Sequence, residues 1–123
     1  MTPGNGNRVC YAVDLEDNLE VIERYKALHM PGAPPIAVTA ALRDAGISSL
    51  QIYLIGNRLF MIMEVNTNYD ANLKSQRDAR NPEVQAWNAM METLQQELPF
   101  STREAAAGKW RRMQRIYDLS SQP

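Results

Sequence analysis

Residues 48–65, SSLQIYLIGNRLFMIMEV, decide how the chain folds. Two runs, about Ser48–Ile55 and Arg58–Val65, are rich in large apolar residues, with Gly56-Asn57 between them. A two-residue link of this kind signals a tight β-hairpin, because glycine accepts the positive φ that hairpin turns demand. Both runs are apolar at nearly every position except Gln51 and Glu64. A strand with one wet face alternates; these do not, so the sheet is expected to be covered on both faces.

Upstream, Arg8 to Leu15 suits a strand, with Val9, Tyr11 and Val13 on one face and Cys10, Ala12 and Asp14 on the other. Leu15, Leu19, Ile22, Tyr25 and His29 then follow at spacings of 4, 3, 3 and 4, one continuous stripe of a helix. Asp17 or Asn18 can cap its start, and Glu20, Glu23, Arg24 and Lys26 form its solvated side. The Pro- and Gly-rich stretch from Met30 to Pro35 breaks the helix. A second helical piece from about Pro35 to Asp44 ends at Ala45-Gly46, where Gly46 suits a left-handed cap.

Downstream of the hairpin, Asn66 to Asn81 is polar, with a short helix expected from Asp70 to Ala79. Asn81 and Pro82 suit the cap and first turn of a further helix, whose core stripe is Val84, Trp87, Met91, Leu94 and Leu98, ended by Pro99. Ser101 to Lys109 reads as a loop and Trp110 to Leu119 as a closing strand. Residues 1–7 read as a loose tail, leaving one domain over 8–119. The order β, α, β, β, α, β, with an extra helical piece in each crossover, is that of a ferredoxin-like α+β sandwich with helices on one face of an antiparallel sheet. The other apolar face then needs cover. In a chain this small a second copy is the natural one, giving a homodimer that joins two sheets into a dimeric α/β barrel.

Composition narrows the function. Of 123 residues 45% are hydrophobic, which fits a folded domain, and the net charge of −1 removes the basic stripe that nucleic acid requires. No apolar run approaches bilayer length, and the first seven residues, MTPGNGN, carry no signal-peptide segment. A single Cys10 excludes an internal disulfide, and one Cys with one His makes no N/S metal cluster. A cytoplasmic protein without a metal is expected.

Five positions can carry chemistry. His29 is the only histidine, the residue type that changes charge near neutrality, and it ends an inward stripe just before a helix break. Tyr25 lies one turn earlier on the same face. Together they can hold a polyol and move a proton, although spacing alone describes core-edge residues satisfied by backbone carbonyls equally well, and that is the commoner case. Trp87 can pack a ring face on sugar C–H groups, or simply fill the core. Asn88 beside it offers a donor and an acceptor to hydroxyls, or simply faces solvent. Glu64 is a carboxylate in an apolar strand: buried, it becomes an acid or base; otherwise it sits in water or pairs with Arg58, Arg112 or Arg115. Cys10 reads as a buried strand residue, and a nucleophilic Cys–His pair has nothing specific in its favour.

Several ordered segments resemble the L-rhamnose mutarotase family. They are Tyr25-Lys-Ala-Leu-His29, Gly46-Ile-Ser-Ser-Leu-Gln-Ile-Tyr-Leu54, Leu59-Phe-Met-Ile-Met-Glu64, Val84-Gln-Ala-Trp-Asn88 and Met113-Gln-Arg-Ile-Tyr-Asp-Leu119. The resemblance implies small dimeric ferredoxin-like proteins that interconvert sugar anomers without a cofactor. It puts sugar binding on Tyr25, proton donation on His29 and a sugar contact on Trp87. Two positions depart: the rhamnose enzymes carry a second tryptophan where this chain has Asn88, and a tyrosine where it has Leu50. A relative acting on another deoxyhexose, such as L-fucose, fits equally well. Competing readings on the same fold are a cofactor-free monooxygenase or decyclase, with a more apolar pocket for flat ligands, and a non-catalytic small-ligand binding module.

Overall fold

β1 (Arg8–Leu15) is the strand against which the rest of the sheet is assembled. The computed structural model describes residues 7–100 and 108–123, and places β1 antiparallel to β3 (Arg58–Val65), with Val13 opposite Leu59 and Asp14 opposite Arg58. β3 returns from β2 (Ile47–Ile55) through the Gly56-Asn57 turn, in which Gly56 has φ 59°. On its other edge β1 pairs with two short strands, β4 (Gln95–Gln96) at Asp14 and Leu15 and β5 (Arg111–Arg112) at Tyr11 and Ala12. The order β2-β3-β1-β4, antiparallel throughout, is that of the α+β sandwich expected from the sequence.

Four helices complete the fold: α1 (Leu19–Leu28), α2 (Ile36–Asp44), α3 (Ala71–Ala79) and α4 (Pro82–Leu94). Asn18, Asp70 and Asn81 cap α1, α3 and α4 by accepting backbone N–H groups of the first turn. Gly46 follows α2 at φ 95°, and a Cβ there would stand 2.5 Å from Asn66 Oδ1, so both backbone and space call for glycine. Val13, Leu15 and Leu59 from the sheet pack with Tyr25 of α1 and with Met91 and Leu94 of α4. Trp87 and Trp110 lie against this cluster. Among the described residues no helix is long and apolar enough to cross a membrane.

Several expectations change. Leu19, placed on the inward stripe, is 74% exposed; the helix packs against the core only from Val21 and Ile22 onward. α4 ends at Leu94 rather than running to Pro99, since Gln95 takes an extended conformation (ψ 152°) and joins β1. Strand pairing there supersedes the helical spacing, and Leu98 leaves the stripe. The closing strand expected over Trp110–Leu119 shortens to β5 plus one further rung, Met113 N–H to Cys10 O at 2.7 Å. Beyond it Asp118 binds Ser120 and Arg115, and a 3-10 turn forms at Leu119–Ser121, so local polar bonds take the place of a ladder. The tail and the Ser101–Lys109 loop fall mostly outside the described residues. One expectation that holds is the open sheet face: on β2 Tyr53 and Ile55 are 54% and 71% exposed within one chain. Cys10 is half-buried, on the sheet face away from the helices and hence from His29.

Tyr25 is the polar member of the core, 4% exposed. Burial raises its phenol from 10.0 to about 12, against a smaller opposing effect of its hydrogen bond with Gln95. A folded value above the unfolded one means that this contribution is intact below pH 10. It is lost as pH rises toward 12, because the unfolded phenol ionises first. Urea unfolding between pH 9 and 11.5 is expected to show stability falling above pH 10, with a component of about 1.4 kcal/mol per pH unit that Tyr25→Phe removes. Equal slopes in the two proteins would contradict the burial of this phenol.

Candidate functional site

His29 is the C-cap residue of α1. The backbone N–H of His29 turns back to Lys26 O at 3.1 Å, an i to i−3 bond that tightens the last turn. Tyr25 O is thereby left for another donor, and His29 Nδ1 lies 2.7 Å from it. A carbonyl oxygen only accepts, so Nδ1 carries the hydrogen and donates, which leaves Nε2 as the atom free to exchange a proton. One ring nitrogen is thus committed to the backbone, as the core-edge reading expects, and the other is available.

The imidazole sits between two aromatic rings. It stacks on Tyr25 with centroids 4.3 Å apart and planes at 25°, and meets Trp87 of α4 edge-on at 5.3 Å and 66°. These rings form one wall of a cavity of about 870 Å³ between the helices and the inner face of β2 and β3, where Leu50, Ile52 and Met61 make its floor. The volume suits a small-molecule ligand. Tyr25, His29, Trp87 and Asn88 all line it, so four of the sequence candidates converge.

Glu64 does not join them. Strand alternation puts Met61 and Met63 toward the helices and Glu64 on the opposite face, where its carboxylate lies 3.9 Å from Arg8. Of its expected partners, Arg58 binds Asp14 and Arg115 binds Asp118.

Polar groups that sequence reasoning passed over also reach the cavity. Gln95, almost fully buried, bonds the Tyr25 phenol. Lys109 donates from Nζ to Glu92 O and Gln95 O, both at 2.9 Å, placing a cation on the carbonyls that end α4. Lys74 and Asp78 of α3 form an ion pair in the cavity wall. The α4 stripe spacing pointed past Gln95, and Lys109 lay in a segment read only as loop. The α3 groups did leave a signal: a polar helix without a core stripe.

An aromatic wall, an acid–base nitrogen and a polar wall make a site that can hold a polyhydroxylated ring and move its protons. Comparison with known proteins agrees. The family model for L-rhamnose mutarotase matches residues 8–119. An L-fucose mutarotase from Xanthomonas campestris pv. campestris is 42% identical over 113 residues, covering 92% of this chain and 88% of that one. A UPF0734 protein from Dictyostelium discoideum is 30% identical over 109 residues, covering 88% and 86%. The crystal structure of an L-rhamnose mutarotase from Formosa agariphila shares the fold with a TM-score of 0.62 at 20% identity, over 91% of this chain and 97% of that one. With a family model matched over nearly its whole length and relatives this similar, the chain belongs to the L-rhamnose mutarotase family, enzymes of the carbohydrate isomerase class.

Proposed function

We propose that this protein interconverts the α and β anomers of a 6-deoxy-L-hexose, with L-fucose as the first candidate, and that His29 is the acid–base group. The observation that carries the reading is the commitment of His29 Nδ1 to Tyr25 O, which leaves Nε2 available on a residue that lines a cavity together with Tyr25 and Trp87. Mutarotation moves only protons. The anomeric O–H proton leaves as the ring oxygen gains one, the C1–O5 bond opens to the aldehyde, the C1–C2 bond rotates, and closure on the other face returns both protons. In its imidazolium form, with Nδ1–H still on Tyr25 O, His29 supplies the Nε2 proton to the ring oxygen and recovers it on closure.

The second proton carrier is not Glu64, which lies across the sheet. The Tyr25 phenol, raised to about 12, stays protonated at neutral pH and serves as a hydrogen-bond donor rather than a base. A water in the cavity is left to take the anomeric proton. Trp87 packs against sugar C–H groups, and Asn88 contacts a hydroxyl. The polar wall of Lys74, Asp78, Gln95 and Lys109 favours a polyol over the flat, apolar substrates of a monooxygenase or decyclase. L-fucose comes first because the relative at 42% identity carries that name.

The protein is further proposed to work in the cytoplasm as a homodimer, joined through the sheet face that leaves Tyr53 and Ile55 exposed. Sedimentation at micromolar concentration is expected to give twice the chain mass; a monomeric mass would remove the shared face. Saturation-transfer NMR with L-fucose and L-rhamnose is expected to show enzyme-dependent anomer exchange. His29→Ala should slow it by about 10²–10⁴-fold, the usual contribution of one acid–base group. Exchange that is absent in the wild type, or undiminished in the variant, would refute the corresponding assignment. Leu50 and Asn88 both line the cavity. The double variant Leu50→Tyr, Asn88→Trp is expected to raise kcat/KM for L-rhamnose relative to L-fucose; an unchanged ratio would show that these positions do not set the choice.

A further inference from the structure

α3 is built unlike the other helices. None of its residues is fully buried. Yet Ala71, Lys74, Ser75, Asp78 and Ala79 all line the cavity, and their spacing of 3, 1, 3 and 1 is that of a single inward helix face. On an ordinary amphipathic helix that face would be apolar and pressed into the core. Here it is small and charged, and it meets a cavity instead. At its centre Lys74 and Asp78 form an ion pair whose side chains are only 21% and 14% exposed.

Helix stability does not account for the pair. The cation precedes the anion by four residues, the less favourable order, and Asp78 stands in the last turn, where the helix dipole opposes a negative charge. The corner that carries Asp78 is fixed nonetheless: its carbonyl accepts from Gln85 Nε2 at 2.8 Å and from Asn81 N–H at 3.1 Å. A charged pair is thus held in a set position, partly out of water, on the wall of the site.

We infer that Lys74 and Asp78 are specificity-determining residues that grip a vicinal diol of the pyranose. This rests on the sugar reading of the cavity. A carboxylate has acceptor sites beyond the one its ammonium partner takes, and an ammonium has N–H groups to spare. The pair can therefore accept from one hydroxyl and donate to its neighbour's oxygen, which fixes both the presence and the relative orientation of the two. The aromatic wall of Tyr25 and Trp87 tolerates any ring with a C–H face; the α3 wall decides which hydroxyl pattern is accepted. The two walls come from different helices, so reaction and recognition are separated along the chain.

Two variants and two readouts test this. Asp78→Asn keeps the shape and removes the charge. It is expected to raise KM for L-fucose roughly 10- to 100-fold, the loss typical of a charged hydrogen bond, with a much smaller fall in kcat. The swap Lys74→Asp, Asp78→Lys preserves the ion pair while exchanging donor and acceptor. A merely structural pair would leave KM unchanged in the swap; a diol grip would lose affinity there too. Tryptophan fluorescence, reporting through Trp87 and Trp110 in the cavity wall, gives the Kd for L-fucose without turnover. If the wild type binds L-fucose but shows no anomer exchange, the mutarotase reading fails while the grip stands or falls on the Kd values alone. If KM and Kd are unchanged in both variants, or the wild type binds no sugar, the grip is refuted.

Discussion

The end of β1 holds the molecule together. Asp14, 3% exposed, accepts from Arg58 Nε at 2.7 Å and Nη2 at 3.2 Å, directly across the ladder. A buried carboxylate tolerates burial only when it is paired and hydrogen-bonded, so this bidentate grip fixes which residue of β3 faces which residue of β1. Next to it, Leu15 N–H donates to Asn57 O at 2.6 Å and Asn57 Nδ2 donates to Leu15 O at 2.9 Å, which ties the hairpin turn to the same place. A slip of one residue would reverse every side chain on the strand and expose Val13 and Leu15. With the register set, the inner face presents Leu59, Met61 and Ile52 to the helices, and the cavity floor follows.

From that floor a chain of polar contacts runs to the His29 ring. Lys109 secures the carbonyls at the end of α4, Gln95 leaves that end to bond the Tyr25 phenol, and Tyr25 supplies both the ring on which His29 stacks and the carbonyl that orients it. Tyr25 is thus core residue, cavity wall and tautomer-setting partner at once. This explains why an aromatic with a polar end occupies a position that packing alone would give to leucine or phenylalanine.

How much of this was legible in the sequence depended on the range of the interaction. The hairpin, the Asn18 and Asn81 caps and the shared face of Tyr25 and His29 are local, set by turn chemistry and helix pitch, and they read correctly. Leu98 and the closing strand did not, because their fate depends on how much of β1's free edge β4 and β5 can pair, which is a long-range matter. Glu64 misled for a related reason: an acidic residue in an apolar run is conspicuous, but only the strand register shows that it faces away from the helices. Gln95 and Lys109 were illegible, since neither periodicity nor motif marks a side chain that acts by bonding backbone carbonyls. The family resemblance singled out Trp87 where composition favoured plain core; Trp87 both packs on the core and lines the cavity.

The tightened last turn of α1 has an evolutionary consequence. Because the His29 amide folds back to Lys26, the ring and the carbonyl that holds it belong to one helix and lie four residues apart. Their geometry comes from helix pitch, not from the pocket around them. Positions 50, 74, 78 and 88 reach the cavity from β2, α3 and α4, and can change without disturbing that unit. Such an arrangement lets the Tyr25–His29 unit be inherited whole while the rest of the cavity wall drifts.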